Sequence, residues 1–286
     1  MIPPQFALVR ARSVAEAVAA LGEHAESEDA KVLAGGQSLL PLLRLRLAYP
    51  SVVVDLGPAA EMRGTRDEGD ELVIGAMTTH YEVVHSELVR RHCGLLAEAT
   101  STVADPAVRH RGTLGGALAH ADPAGDLGAV VRAYEATMVL AGPDGRRTVP
   151  ASEFFVDYLQ TALRPGEVLV EIRVPKLGDW GYRYEKFHRV AQAWAIVGVA
   201  ALVRRSHTSI SEARIGLTNM STTPMRATVV ESALAGSPAA EDAITSAAER
   251  AAEGTNAPAD LNGREDYRRH LAQVLTRQAV MAAART

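Results

Sequence analysis

The stretch Lys31-Val32-Leu33-Ala34-Gly35-Gly36-Gln37-Ser38-Leu39-Leu40-Pro41 runs a short β-like segment into a glycine pair and then into the start of a helix. Lacking a Cβ, such a pair lets the backbone turn through positive φ and aim its N–H groups outward, which makes a cradle for an anionic group such as a phosphate. A second segment of the same kind follows at Arg111-Gly112-Thr113-Leu114-Gly115-Gly116. Two cradles suggest a diphosphate, although for either segment alone a glycine turn without a ligand is an equally good reading.

Outward from these turns, the first fifty-odd residues alternate helix and strand. Ser13 and Glu16 form a capping-box pair ahead of Val14, Ala17, Val18 and Leu21, which recur at helical spacing up to Gly22. Ser38 is placed to cap a Leu39–Leu47 helix, and Pro41 falls in its first turn, where a missing N–H does no harm. The leucines of that segment cover nearly the whole circumference, which predicts a buried helix. Val52-Val53-Val54 makes the next strand, and the polar, turn-rich stretch from Pro58 to about Gly69 reads as a crossing between subdomains.

Leu72 to Ala76 reads as a strand, and Thr79 with Glu82 repeats the capping box before a helix through about Arg90. Another helix near Leu95–Thr102 leads to the second glycine turn. Asp122-Pro123-Ala124-Gly125-Asp126 then precedes a helical Leu127–Ala136, for which Asp126 reads most simply as N-cap. Met138–Leu140 and Arg147–Val149, joined through Asp144-Gly145, form a hairpin.

From Val168 the texture changes. Val168–Val174, Tyr182–Phe187, Ala195–Val203 and Ile210–Leu217 read as successive strands of one antiparallel sheet, followed by alanine-rich helices at Ala227–Leu234 and Ala239–Ala252 and a final helix over Arg264–Ala284. The expected fold class is α+β. A boundary near Pro175 divides residues 1–175, with subdomains of about 1–57 and 58–175, from a carboxy-terminal module at 176–286.

Composition excludes several functions. A net charge of −4 provides no field for nucleic acid, and no apolar stretch reaches the roughly 20 residues of a membrane span. The amino terminus lacks the pattern of a secretory signal, so a cytoplasmic location is expected. Cys93 is the only cysteine, so neither an internal disulfide nor a thiolate-ligated iron–sulfur cluster belongs to this chain. Neither His80/His85 nor His85/His92 has metal-ligand spacing on a helix, and His120 with Asp122 lacks a third ligand, so no metal site is expected. There is also no Gly-Lys-Ser/Thr phosphate loop and no Gly-x-Gly-x-x-Gly turn.

Ala34 to Pro41, Arg111 to Gly116, Asp122 to Asp126, and Tyr184-Glu185-Lys186-Phe187 with Trp194-Ala195-Ile196-Val197 occur in one order and spacing along the chain. In this the chain resembles the FAD-binding medium subunit of molybdenum hydroxylases, with carbon monoxide dehydrogenase medium subunits nearest in pattern. The resemblance implies a vanillyl-alcohol-oxidase (PCMH) type FAD domain in two subdomains, followed by a carbon monoxide dehydrogenase flavoprotein C-terminal-like α+β domain.

By that resemblance Gly35, Gly36, Gln37 and Ser38 would hold the pyrophosphate, with Ala34 and Leu39 beside them also in the cofactor-binding set, and Thr113, Gly115 and Gly116 adding polar contacts from the second turn. Asp122 belongs to the shared acidic segment, and Asp126 matches an aspartate on the adenosine ribose. Lys186 and Trp194 match positions near the isoalloxazine, and Thr79 lies in a region that approaches the cofactor. Plainer readings stand beside these: helix capping for Thr79, core packing for Trp194 and a solvated strand lysine for Lys186. The chain departs from many relatives at Ala117, where Asn is common, at Ala193, where Asp is common, and at Gln37, where some have His.

The implied activity is an electron relay in an oxidoreductase: FAD carries the electrons, and the polypeptide needs no catalytic acid or base. Electrons would come from a molybdenum-cofactor large subunit through the clusters of a 2Fe–2S small subunit, in a dimer of heterotrimers, and leave to an external acceptor. Two alternatives remain: a self-sufficient reductase on the same fold, such as a UDP-N-acetylenolpyruvoylglucosamine reductase, and a non-catalytic nucleotide-binding or assembly protein.

Overall fold

A computed structural model describes residues 2–24 and 30–285. Its first unit alternates β1 (Ala7–Arg10), α1 (Val14–Gly22), β2 (Ala30–Leu33), α2 (Leu39–Leu45) and β3 (Val52–Asp55). Parallel neighbours need crossover connections, and α1 and α2 supply them: β3 lies between β1 and β2, with Leu8 opposite Val53 and Val32 opposite Val54. Ser13 Oγ accepts the Glu16 N–H at 3.1 Å, while the Glu16 carboxylate takes the N–H of Arg12 rather than that of Ser13.

The expected burial of the leucine-rich helix is wrong. Leu43 is buried, but Leu40, Leu45 and Leu47 are exposed, the last at 69 %. Three short strands offer too little surface to enclose a helix that is apolar all round, and Leu8 and Val9 of β1 are exposed as well.

The second unit begins with β4 (Thr65–Glu68) and β5 (Glu71–Gly75), so a strand forms inside the stretch expected to be a crossing. Its Thr-Arg-Asp-Glu sequence has no apolar alternation, because it is an edge strand held by main-chain pairing with β5. The single helix expected up to Arg90 is two, α3 (His80–His85) and α4 (Glu87–His92). Ser86 breaks it with ψ of 122° and caps the second at Val89 N. Then come α5 (Gly94–Ser101), α6 (Pro106–Arg109), α7 (Leu114–His120), α8 (Asp126–Tyr134), β6 (Thr137–Gly142), β7 (Gly145–Pro150), α9 (Ala151–Phe154), β8 (Phe155–Asp157), β9 (Gln160–Thr161) and β10 (Val168–Pro175).

β10 corrects the sheet assignment. It pairs with β5 and β6 in the order β4-β5-β10-β6-β7, not with the strands that follow it. Sequence proximity suggested otherwise, but its buried run Val168 to Ile172 belongs at the centre of the second unit's sheet.

The last unit has β11 (Trp180–Phe187), β12 (Val197–Ser206), β13 (Ser209–Thr218) and the two-residue β14 (Met225–Arg226) in that order, with α10 (Thr228–Leu234), α11 (Glu241–Ala248) and α12 (Glu265–Ala283). Side chains alternate faces along a strand, and both faces of this sheet are covered. Tyr184, Ala200 and Leu202 join the core of the second unit, whereas Val199, Ala201 and Val203 pack with α10 to α12. At Gly216 a Cβ would overlap the Ala129 carbonyl of α8, so the two backbones touch.

Candidate functional site

Gly36 takes φ of +76° and turns the chain from β2 into α2. From Gly35 to Leu39, five successive backbone N–H groups donate to no acceptor among the described residues. Ser38 does not cap α2 as the sequence suggested. A capping oxygen needs the N–H of the second or third helical residue. Here the second, Leu40, donates to the Gly36 carbonyl at 3.1 Å, and the third is Pro41, which has none. The Ser38 hydroxyl and the N–H row therefore remain available together, and Gln37 is exposed with its Nε2 donating to the Gly35 carbonyl at 3.2 Å.

The two glycine turns lie against each other. A Cβ on Gly35 would overlap the Arg111 carbonyl and sit 2.7 Å from Gly112 Cα, and one on Gly116 would lie 3.2 Å from Ala34 Cβ. They are not equivalent, however. The N–H groups of Leu114 and Gly115 donate to the Thr78 and Ala76 carbonyls at 2.9 and 2.8 Å, and Gly116 N–H donates to Thr113 Oγ1, the cap of α7, at 3.1 Å. The second pair thus permits close backbone packing, and the first presents donors. Thr79 bridges to Thr113 and forms a full capping box with Glu82, its hydroxyl 2.8 Å from Glu82 Oε2. Behind the second turn His80 is 3 % exposed, and burial holds its imidazole down to about 4.

From Gly116, α7 carries the chain roughly 10 Å, at 1.5 Å per residue, to the acidic segment. Asp122 folds it: its Oδ1 accepts Ala124 N–H at 2.9 Å and its carbonyl accepts Gly125 N–H at 2.9 Å. Gly125, not Asp126, is the N-cap of α8, which corrects the capping reading. The Asp126 side chain turns inward instead, accepting from Tyr184 OH at 2.7 Å and from Lys186 Nζ at 2.8 Å. Lys186 is accordingly no solvated strand lysine. Burial pushes the Asp126 carboxyl up, and the Lys186 ammonium, followed by the two hydrogen bonds, pulls it back. The pair is in direct contact, and each side chain is only 3 % exposed.

Trp194 is 54 % exposed, against the core-packing alternative; it lies in the connection between β11 and β12 and not in the sheet. A Cβ on Gly125 would come 3.9 Å from its ring. Beside it opens a cavity of about 610 Å³ whose walls include Asp122, Ala124, Tyr158, Arg189 and Trp194. Among the described residues no three His, Cys, Asp or Glu side chains converge on a metal-sized site, and His120 Nε2 stands 4.0 Å from Asp122 Oδ2. Cys93 is buried, which pushes its thiol up to about 12.

Sequence reasoning gave no role to Tyr184 or Asn219. Tyr184 was recoverable, since it lies two residues before Lys186 and so on the same face of β11. Asn219 carried only a weak signal, an asparagine just past a strand.

Comparison with known proteins matches this architecture along its length. Residues 4–177 fit the description "FAD binding domain in molybdopterin dehydrogenase", and residues 182–283 fit "CO dehydrogenase flavoprotein C-terminal domain". The chain belongs to this flavoprotein family. Its cofactor is FAD, and it is the flavoprotein chain of an oxidoreductase. The flavoprotein is 44 % identical over 284 residues to the carbon monoxide dehydrogenase medium chain of Hydrogenophaga pseudoflava, covering 99 % of this chain and 98 % of the relative. A solved carbon monoxide dehydrogenase from that organism, lacking the Mo-pyranopterin moiety of its cofactor, superposes with a TM-score of 0.96 at 45 % identity, covering 99 % and 98 % of the two chains. Quinoline 2-oxidoreductase from Pseudomonas putida 86 superposes with a TM-score of 0.95 at 34 % identity, covering 100 % and 99 %. No helix among the described residues of the flavoprotein is long and apolar enough to cross a membrane.

Proposed function

We propose that this chain is the electron outlet of a cytoplasmic molybdenum hydroxylase of the carbon monoxide dehydrogenase type, in a dimer of heterotrimers with a molybdenum-cofactor large subunit and a 2Fe–2S small subunit. The observation that carries the reading is the row of unpaired N–H groups from Gly35 to Leu39, pressed against a second glycine turn. A helix start whose capping hydroxyl is left free by Pro41 suits a diphosphate, which would take several of these donors at once.

In this reading Ala34, Gly35, Gly36, Gln37, Ser38 and Leu39 hold the diphosphate, while Thr113, Gly115 and Gly116 back the cradle by close packing, and Thr79 steadies the second turn through its capping box. Asp122 and Asp126 shape the ring end. The contact of Lys186 with Asp126, and the position of Trp194 beside Gly125, support assigning all four to one end of the cofactor. Bound FAD supplies reversible electron transfer. The residues of this chain orient it: Trp194 offers an exposed aromatic face, and Lys186 holds a positive charge whose field Asp126 tempers. With its one thiol buried, the chain leaves the cluster ligands to a partner.

The test is purification of the chain with its neighbouring gene products. Flavin absorbance with copurifying molybdenum and iron, and reduction of an artificial acceptor by carbon monoxide rather than by quinoline, is the expected result. A chain that takes up no FAD on reconstitution would be a binding or assembly protein, and one reduced by a nicotinamide donor without partners would be a self-sufficient reductase.

A further inference from the structure

Asn219 follows β13 in the left-handed region, with φ of 62°, and is 9 % exposed. Asparagine is among the few residues other than glycine that tolerate this conformation. Its backbone N–H donates to the Pro123 carbonyl at 2.9 Å. Its Nδ2 donates to the Ala195 carbonyl at 2.8 Å and the Ile196 carbonyl at 3.3 Å. One residue therefore ties the acidic turn at Asp122 to Asp126 to the segment that carries Trp194.

The indole is more than half exposed, so the backbone beside it carries much of its positioning. The loop before it leaves Arg189 to Gln192 exposed. On the other side Ile196 N–H donates to the Phe187 carbonyl at 2.8 Å, and the fully buried Arg268 donates to the Ile196 carbonyl. Arg268 grips only the far residue; Asn219 alone of these groups bonds both the Trp194 segment and the acidic turn.

We infer that Asn219 is a positioning residue for the flavin: it fixes the Trp194 ring over the Gly125 turn before the cofactor arrives. The inference rests on the proposed reading that Trp194 faces the flavin. A preorganised ring binds without the entropic cost of ordering its loop, so loss of the strut lowers affinity.

The experiment uses the full chain carrying W180F, which leaves Trp194 as its only indole. N219G keeps the left-handed backbone and the Pro123 bond but removes the amide. N219D keeps size and conformation but turns the donor into an acceptor facing two carbonyls, and it carries the test if N219G does not fold. Expected are faster depolarisation of Trp194 fluorescence in flavin-free protein, a rise of about tenfold in the FAD dissociation constant, and weaker quenching of Trp194 by added FAD. Unchanged depolarisation overturns the strut. Faster depolarisation with affinity and quenching within about twofold of the parent overturns its role toward the flavin. A W180F parent that binds FAD as the wild type does but shows no quenching of Trp194 overturns the underlying reading instead, and the depolarisation in flavin-free protein separates that case.

Discussion

Lys186 Nζ stands 2.8 Å from Asp126 Oδ2, with each side chain only 3 % exposed, and this ion pair joins β11 of the carboxy-terminal unit to the first turn of α8. Lys186 also donates to the Thr102 carbonyl at 3.1 Å, and Tyr184 OH donates to the other carboxylate oxygen, Asp126 Oδ1, at 2.7 Å. Burial, with the neighbouring carboxylate, holds the Tyr184 phenol well above its usual range, so it stays a donor.

A buried pair is costly to break from one side, because the remaining charge is left in low dielectric. K186M should therefore lower flavin-free stability by about 3–5 kcal/mol, and D126N/K186M should recover much of the loss. Denaturant unfolding of the three proteins checks this. Equal stabilities for K186M and wild type would show that the pair contributes nothing.

His80 makes stability pH-dependent. Its folded value near 4 lies below the ordinary 6.5, so between these limits the unfolded chain binds more protons and stability falls as pH is lowered. From pH 7 to pH 5 the loss attributable to this ring is about 2 kcal/mol. H80Q, measured over the same interval, should show a shallower decline, and an identical slope would place the titrating group elsewhere.

The glycine turns are sensitive to a single methyl group. In G35A the new Cβ meets the Arg111 carbonyl, which is backbone and cannot rotate away. Overpacking of this kind costs about 1–3 kcal/mol, and a cradle forced apart should lose FAD at least about tenfold in affinity. C93A, which removes a buried thiol that supplies no donor to the cradle, should keep the flavin-to-protein ratio of wild type. FAD titration followed by absorbance distinguishes the two.

Trp194 is exposed, so W194A should leave unfolding within about 0.5 kcal/mol of wild type while shifting the flavin absorption bands. A spectrum identical to that of wild type would remove the indole from the ring's surroundings.

The relation between sequence and site differs from residue to residue. The Thr79–Glu82 capping box was legible because both partners lie within one turn. The uncapped Ser38 was legible only in principle, through Pro41 three residues on. The Asp126–Lys186 contact was not, since sixty residues separate the two and local rules made the aspartate a cap. β10 was misplaced for the same reason: strand character is written locally, but the partner strand is chosen by which sheet can bury both of its faces.

By itself, then, the amino-acid order determined the two glycine turns, most helices and strands, the absence of cluster-binding thiols and, through its motifs, the family. Only the tertiary structure decided that one turn presents donors while the other merely packs, that Lys186 is buried while Trp194 is bare, and that the sheet beginning at β11 is covered on both sides. Turn and helix preferences are set by neighbours along the chain. Burial and hydrogen-bond partnership depend on which distant surfaces exclude water, and that is known only once the chain has closed on itself.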